Sequence, residues 1–282
     1  MRFLQYVLGA LAVIIILVLI VSAVATAAFN QMVERETNLL LKTAPQQSQL
    51  VTVSELQGLP GCVQKWLKTS QVVGKERIRT VRVKQTGSMR TQPDTAWMPF
   101  QAQYVYTTDQ PGFIWYARVK AAPLIYLLGR DKYYQGEGSM LIKLLGVVDV
   151  ANEQGKEIDQ GTLLRFLAEM MWYPSAALNP YIEWEEIDRL SARAAMNYQG
   201  VNGSGVFRFN EQGDVVEFRA ERPRAVDGRF EMTPWIIPVK DHRVFDGVRI
   251  PSSGEVIWEL DNGEFNWFHF KTLEVEYNRL QS

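Results

Sequence analysis

The sequence is most informative first in what it lacks. One cysteine, Cys62, stands among 282 residues, which excludes an internal disulfide and any CxxC pair or Cys/His zinc cluster. A small buried apolar position suits it. There are two histidines, His242 and His269, far apart and outside any HExxH or HxH pattern, so no metal site is expected. Basic charge is not in excess. Lys plus Arg number 30 against 31 Asp plus Glu, a net charge of −1, which argues against a nucleic-acid partner, since such a partner requires a basic face to displace counterions.

Complete catalytic or cofactor motifs are also missing. Gly136, Gly138 and Ser139 imitate the start of a phosphate-binding glycine loop, but Leu141 stands where the third glycine belongs, and a turn or bulge is expected. Asn202–Gly205 lacks the Gly-x-Ser-x-Gly spacing of a nucleophile elbow and reads as a strand-entry turn. No cofactor and no catalytic residue is assigned. No internal repeat or low-complexity block interrupts residues 55–278.

What the chain does have is one long apolar run. Val7–Ala28 is 22 residues without a charge, enough helix to cross about 30 Å of hydrocarbon. Ala23, Ala25 and Ala27 offer small-residue cleavage patterns, but the run is longer than a secretory peptide's apolar core, and an uncleaved anchor is the reading. Four segments follow: a tail at 1–6, a transmembrane anchor at 7–28, a helical extension and linker at 29–53, and a β-rich domain at 54–282. Within the linker, Gln31–Leu41 prolongs the helix and Thr43–Gln49 reads as a polar tether. Flanking charge is balanced, Arg2 and the terminal amine against Arg35 and Lys42. The few residues ahead of the span resemble a signal anchor, which places the domain outside the cytoplasm.

Ser54–Ser70 carries Leu59, Val63, Trp66 and Leu67 at helical spacing, with Pro60 in a first turn. From Lys75 onward the pattern alternates with turn punctuation, as antiparallel hairpins do. Phe100, Ala102, Tyr104 and Tyr106 meet Phe113, Trp115, Ala117 and Val119 across a Pro-Gly turn. Phe207 and Phe209 meet Phe218 and Ala220 across Asn210–Asp214. Val256, Trp258 and Leu260 lead through Asn262-Gly263, suited to a type I′ turn, into Phe265–Tyr277. Asp159–Tyr173 has helical spacing, with Asp159 as its cap and Pro174 as its stop. The class is mainly β (α+β).

Several strands are apolar on both sides: Ile114 and Tyr116 oppose Phe113 and Trp115, and Phe268 and Phe270 oppose Phe265 and Trp267. Such a sheet must fold on itself, close as a barrel, or line a cavity that accepts an apolar guest.

Polar residues inside apolar segments are read as structural. Thr162, Arg165 and Glu169 share one helix stripe, so Glu169 has a cation one turn away. Asp131, in Gly129–Tyr133, reads as turn chemistry or a partner for an arginine. Lys75, Arg77, Arg79, Arg82, Lys84 and Arg90 suit either anionic head groups or a charged edge strand.

Taken in order, Gly58–Leu67, Thr86–Arg90, Trp97–Gln103, Gly112–Arg118, Gly129–Met140, Leu163–Pro174 and Gly247–Leu260 resemble a bacterial family of single-span membrane proteins carrying a domain of unknown function. That domain is similar in fold to the periplasmic carriers of the lipoprotein-localisation system. The resemblance implies a curved antiparallel half-barrel with a few short covering helices and an apolar cavity, and it brings no catalytic residues. Soluble carriers leave the membrane with their cargo, whereas this chain reads as tethered. The site expected is an apolar cavity in which Trp97, Phe100, Phe113, Trp115 and Trp258 hold a lipid, an acyl chain or a lipidated protein segment. A protein-interaction scaffold and a hydrolase using Asp131 and Glu169 are the alternatives; oligomeric state is left open.

Overall fold

In the computed structural model, residues 2–44 and 47–279 are described; Pro45 and Gln46 of the expected tether lie outside them. Thirteen strands among the described residues form one antiparallel sheet. They are β1 (Thr80–Met89), β2 (Met98–Thr107), β3 (Gly112–Ala122), β4 (Ile125–Tyr134), β5 (Glu137–Leu144), β6 (Val148–Gln154), β7 (Ile182–Asp188), β8 (Ser191–Tyr198), β9 (Val201–Phe209), β10 (Val215–Val226), β11 (Arg229–Phe245), β12 (Val248–Leu260) and β13 (Gly263–Tyr277). Spatial order runs from β6 down to β1, then from β13 down to β7. Two meanders are therefore joined along one seam, where β1 pairs with β13.

The sheet curves into a half-barrel, and short helices cover its concave face. Helix α1 (Arg2–Leu41) lies outside; α2 (Gly61–Thr69) and α3 (Lys156–Glu169) lie inside. Two 3-10 turns, Met170–Trp172 and Pro174–Leu178, follow α3. This strap connects edge strand β6 to edge strand β7, and α3 packs on β4 and β5 at one side and on β9 and β10 at the other. At the β7–β9 end, Trp66 of α2 packs among Trp184, Phe207 and Phe209. Cys62 is buried beside it, as expected.

Curvature shows in the strand glycines. Gly87 faces Phe100, Gly254 faces Phe270, and Gly205 lies diagonal to Phe218. A Cβ on Gly205 would stand 2.2 Å from the Phe218 ring, and one on Gly254 would stand 2.6 Å from the Phe270 ring. An aromatic ring laid over a bare backbone lets a sheet bend without leaving a void.

Several expectations are corrected. Asn202–Gly205 is not a turn but the body of β9; the turn ahead of it is Gln199-Gly200, with φ of 52° and 79°, the type I′ signature. Between β12 and β13 the loop residues are Asp261 and Asn262, and only Gly263 has positive φ, 122°, so this turn is not type I′. Helix α3 begins at Lys156, and Asp159 accepts a hydrogen bond from the Gly138 amide at 2.6 Å rather than capping the helix. Asp131 lies inside β4, not in a turn. The basic strand β1 is not an edge but sits between β2 and β13. Arg77 pairs with Glu55, and Lys84 with Glu274.

The two-sided apolar strands have two separate explanations. On β3, the side opposite the concave face is covered by α1. Phe29 packs on Leu128 and Leu141, with Tyr116 beside them, and Leu40 packs on Val105 and Ile114. On β13, the register shifts between Val256 and Ile257, which pair with Phe268 and Asn266, leaving Trp267 as the extra residue. A bulge resets the alternation by one, so Phe265 and Phe268 both face the concave side.

Candidate functional site

Under α3, the concave faces of the two meanders enclose an elongated space of about 300 Å³. Its walls come from β1 to β6 on one side and from β10 to β13 on the other. Methionine is prominent, with Met89, Met98, Met140 and Met171 all lining it; this flexible, polarizable side chain adapts to irregular apolar guests. The inner end is closed by Tyr106, Phe113, Tyr133, Phe166 and Tyr173, all fully buried, with neighbouring ring centroids 4.8–6.3 Å apart. The other end is the mouth. There the lining residues Met89, Thr91, Met98 and Val150 are partly or fully exposed. The hairpin tips of β3–β4 and β5–β6 lie at this same end, because β1 ends and β2 begins there.

One charged cluster intrudes on the apolar wall. Arg165 donates from Nε to Glu169 at 2.9 Å and from Nη1 to Asp131 at 2.5 Å. Tyr106 donates its hydroxyl to Glu169 at 2.9 Å. The guanidinium sits 5.0–5.4 Å from the rings of Tyr104, Phe113 and Trp115, an arrangement that adds cation–π attraction. Burial pushes the Glu169 carboxyl above the usual carboxylate range, against the opposing pull of Arg165 and Tyr106. Burial likewise raises the Tyr106 phenol. The helix stripe expected for Arg165 and Glu169 is present, and Asp131 joins it from β4. Arg165 thus engages both carboxylates of the hydrolase alternative.

A second arginine was missed from the sequence. Arg222 on β10 lines the cavity, donates from Nε to the Gly161 carbonyl at 3.0 Å, and lies 4.7 Å from the Trp235 ring. Among the described residues no carboxylate lies within 4.0 Å of it. Burial, with Arg165 nearby, pulls its pKa down to about 10, which leaves it charged at neutral pH. The signal was available: Phe218, Ala220 and Arg222 share one side of an alternating strand. The indole N–H groups of Trp115, Trp172 and Trp235, all cavity-lining residues, have no hydrogen-bond acceptor among the described residues.

The five aromatic residues expected at the ligand do not all meet. Trp115 lines the cavity. Phe100 is buried behind the wall, stacked 4.7 Å from Phe268, and Phe113 belongs to the closed inner end. Trp258 is buried beside Trp235 with Arg222 at 5.7 Å. Trp97 lies outside, 36 % exposed, stacked on His269 at 4.1 Å with Arg90 over its ring.

Residues 49–270 match DUF6544, described as a family of unknown function. No curated protein matches the sequence significantly. Among solved structures, a DUF1329 family protein from Desulfovibrio piger is similar with a TM-score of 0.41 and 10% identity, over 78% of this chain and 93% of that one. A LolA superfamily protein from Nitrosomonas europaea is similar with a TM-score of 0.39 and 11% identity, over 78% and 94% of the two chains.

Proposed function

The chain belongs to the DUF6544 family, and we propose that it is a membrane-tethered, non-catalytic receptacle for the hydrocarbon chain of a lipid or lipidated segment. The single observation that carries this reading is the cavity: about 300 Å³ of space, walled by apolar side chains, closed inside and open at one end. Burying hydrocarbon there is favourable by about 25 cal/mol per Å² before ordering costs are subtracted. The indole N–H groups of Trp115, Trp172 and Trp235 lack acceptors among the described residues, and Arg222, bonded to the Gly161 carbonyl, has no carboxylate partner there, so the guest that suits this wall carries acceptor oxygens beside its hydrocarbon. Trp115, Trp258, Phe100 and Phe113 would shape the pocket, and Trp97 would sit at its rim.

The apolar helix supplies the tether. It is the one helix among the described residues long and apolar enough to cross a membrane, by length and composition a single-pass anchor or a signal sequence. Its docking favours retention, because the helix runs unbroken to Leu41 while Ser22, Phe29 and Leu40 are buried against the domain. We place the domain on the extracytoplasmic side of a bacterial inner membrane.

Native mass spectrometry of the full chain, extracted from membranes in mild detergent, tests the reading. A co-purified lipid is expected, and Ile142→Trp, which fills the cavity from β5, is expected to lose it while keeping the fold. Protein that emerges lipid-free under every mild extraction would overturn the receptacle.

A further inference from the structure

The apolar helix runs far along the outer face of the sheet before it ends. Ser22, inside the uncharged run, donates to the Leu145 carbonyl at 2.8 Å and shares a 2.8 Å hydrogen bond with the Tyr126 hydroxyl. Thr26 reaches the same hydroxyl at 2.7 Å. Further along, Glu36 pairs with Arg130 and Lys132, and Leu40 packs near the inner end of the cavity, against Gly112. The helix therefore enters at the mouth end and runs toward the closed end. Its free part leaves the domain beside the mouth.

Length fixes where the membrane surface falls. Phe3 to Val21, 19 residues, is exposed throughout, and at 1.5 Å per residue it covers about 28 Å; the crossing segment is thus placed nearer the N-terminus than the 7–28 span read from composition, because Ser22 is already docked on the domain. A hydrocarbon layer of about 30 Å consumes all of it. Nothing is left for a stalk, so the contacts of Ser22 with Tyr126 and Leu145 lie at the membrane boundary. Beyond those two residues project the tips of the β3–β4 and β5–β6 hairpins. Both tips are apolar and exposed: Leu124 by 82%, Ile125 by 44%, Val147 by 44% and Val148 by 57%. A groove shared by Ile14, Val18, Leu124 and Leu145 shows the first tip alongside the apolar helix itself. At the opposite end the turns of the same meander are polar, with Asp109-Gln110 and Gln135-Gly136. Within this meander, exposed apolar tips at one end only, next to a span, mark a surface that meets lipid.

We infer that the β3–β4 and β5–β6 hairpin tips are embedded in the outer part of the bilayer, so that the cavity mouth opens onto the leaflet and its guest enters from the membrane without crossing water. This rests on the anchor and cavity readings above. It also gives the tether a purpose, because an entrance held at the lipid surface avoids the cost of extracting hydrocarbon into solvent.

Site-directed spin labelling tests it in the full chain, reconstituted into phosphatidylcholine vesicles with the buried Cys62 replaced by Ala. Labels at Leu124→Cys and Val147→Cys are expected to lose collisions with a water-soluble nickel relaxant and to gain collisions with oxygen, like a label at Ile14→Cys and unlike one at Gln110→Cys. Water-exposed labels at 124 and 147 with a lipid-buried label at 14 would sink this inference and leave the anchor standing. A water-exposed label at 14 would remove both. Because labels could perturb the tips, a Leu124→Asp, Val147→Asp double variant provides a second readout. It should lose lipid uptake from vesicles yet still load lipid presented in detergent micelles. Uptake from vesicles that matches the unsubstituted protein overturns the entrance at the leaflet, and lipid-free protein from micelles overturns the cavity reading beneath it.

Discussion

Glu169 holds a charge in an apolar interior only because two partners share the burden. Arg165 reaches it from one helical turn away and Tyr106 from β2, while Asp131 holds the far side of the guanidinium. Removing one member of a buried ion pair strands the other, at a cost of about 3 kcal/mol. Glu169→Ala is expected to lower stability by that amount in denaturant titration, and Glu169→Gln, which keeps one acceptor oxygen for Arg165 and can donate its amide N–H to the Tyr106 hydroxyl oxygen, by less. The pH dependence has a definite sign. Burial raises this carboxyl above its ordinary value of 4.5, so its favourable contribution is complete below that value and is lost as pH rises through the higher folded value. The melting-temperature advantage of the unsubstituted protein over Glu169→Gln should therefore shrink on raising the pH from 4 upward. At this scale the sequence was readable where partners are neighbours on one helix. It offered Asp131 an arginine without saying which, because the meeting with Arg165 depends on how β4 is placed under α3.

Hairpins were the legible elements, because alternation and turn chemistry are local. What escaped was whatever interrupts the alternation. The Trp267 bulge made β13 look apolar on both sides when one side receives both Phe265 and Phe268. Glycines read as punctuation turned out to be curvature: Gly203 and Gly205 lie in β9, where added side chains would strike Leu164 and Phe218. Gly205→Val is expected to cost roughly 1–3 kcal/mol through overpacking, seen as a lower melting temperature, since a valine Cβ would also meet the Arg219 carbonyl at 3.0 Å. The docking of α1 was missed although its signal was present. Phe29, Met32, Val33, Glu36 and Leu40 recur at three- and four-residue spacing, which is one face of a helix seeking a surface.

For the whole molecule, that docked face converts a flexible tether into a rigid mount. Glu36 Oε2 stands 3.1 Å from Arg130 Nε, close enough for ion pairing though not aligned as a hydrogen bond, and Glu36 Oε1 accepts from Lys132 at 3.0 Å. Glu36→Lys would place three cations together at a site where Arg130 is nearly buried. Detachment of the helix from β4 is the expected result, measurable as faster amide hydrogen exchange across residues 29–41 with the sheet's central strands unchanged. The half-barrel and its cavity were implied by resemblance, while the direction in which the cavity opens depended on the path of α1 across β2–β5, which no local pattern encodes. The seam between β1 and β13 has its own consequence. The first strand of the sheet bonds to the last, so neither meander gains its central neighbour until synthesis has passed residue 277. Contacts this distant in sequence form slowly. Until they do, the outer hydrogen-bonding edge of β1 stands open on the nascent chain, and the half-barrel cannot close its seam before its last strand has been made.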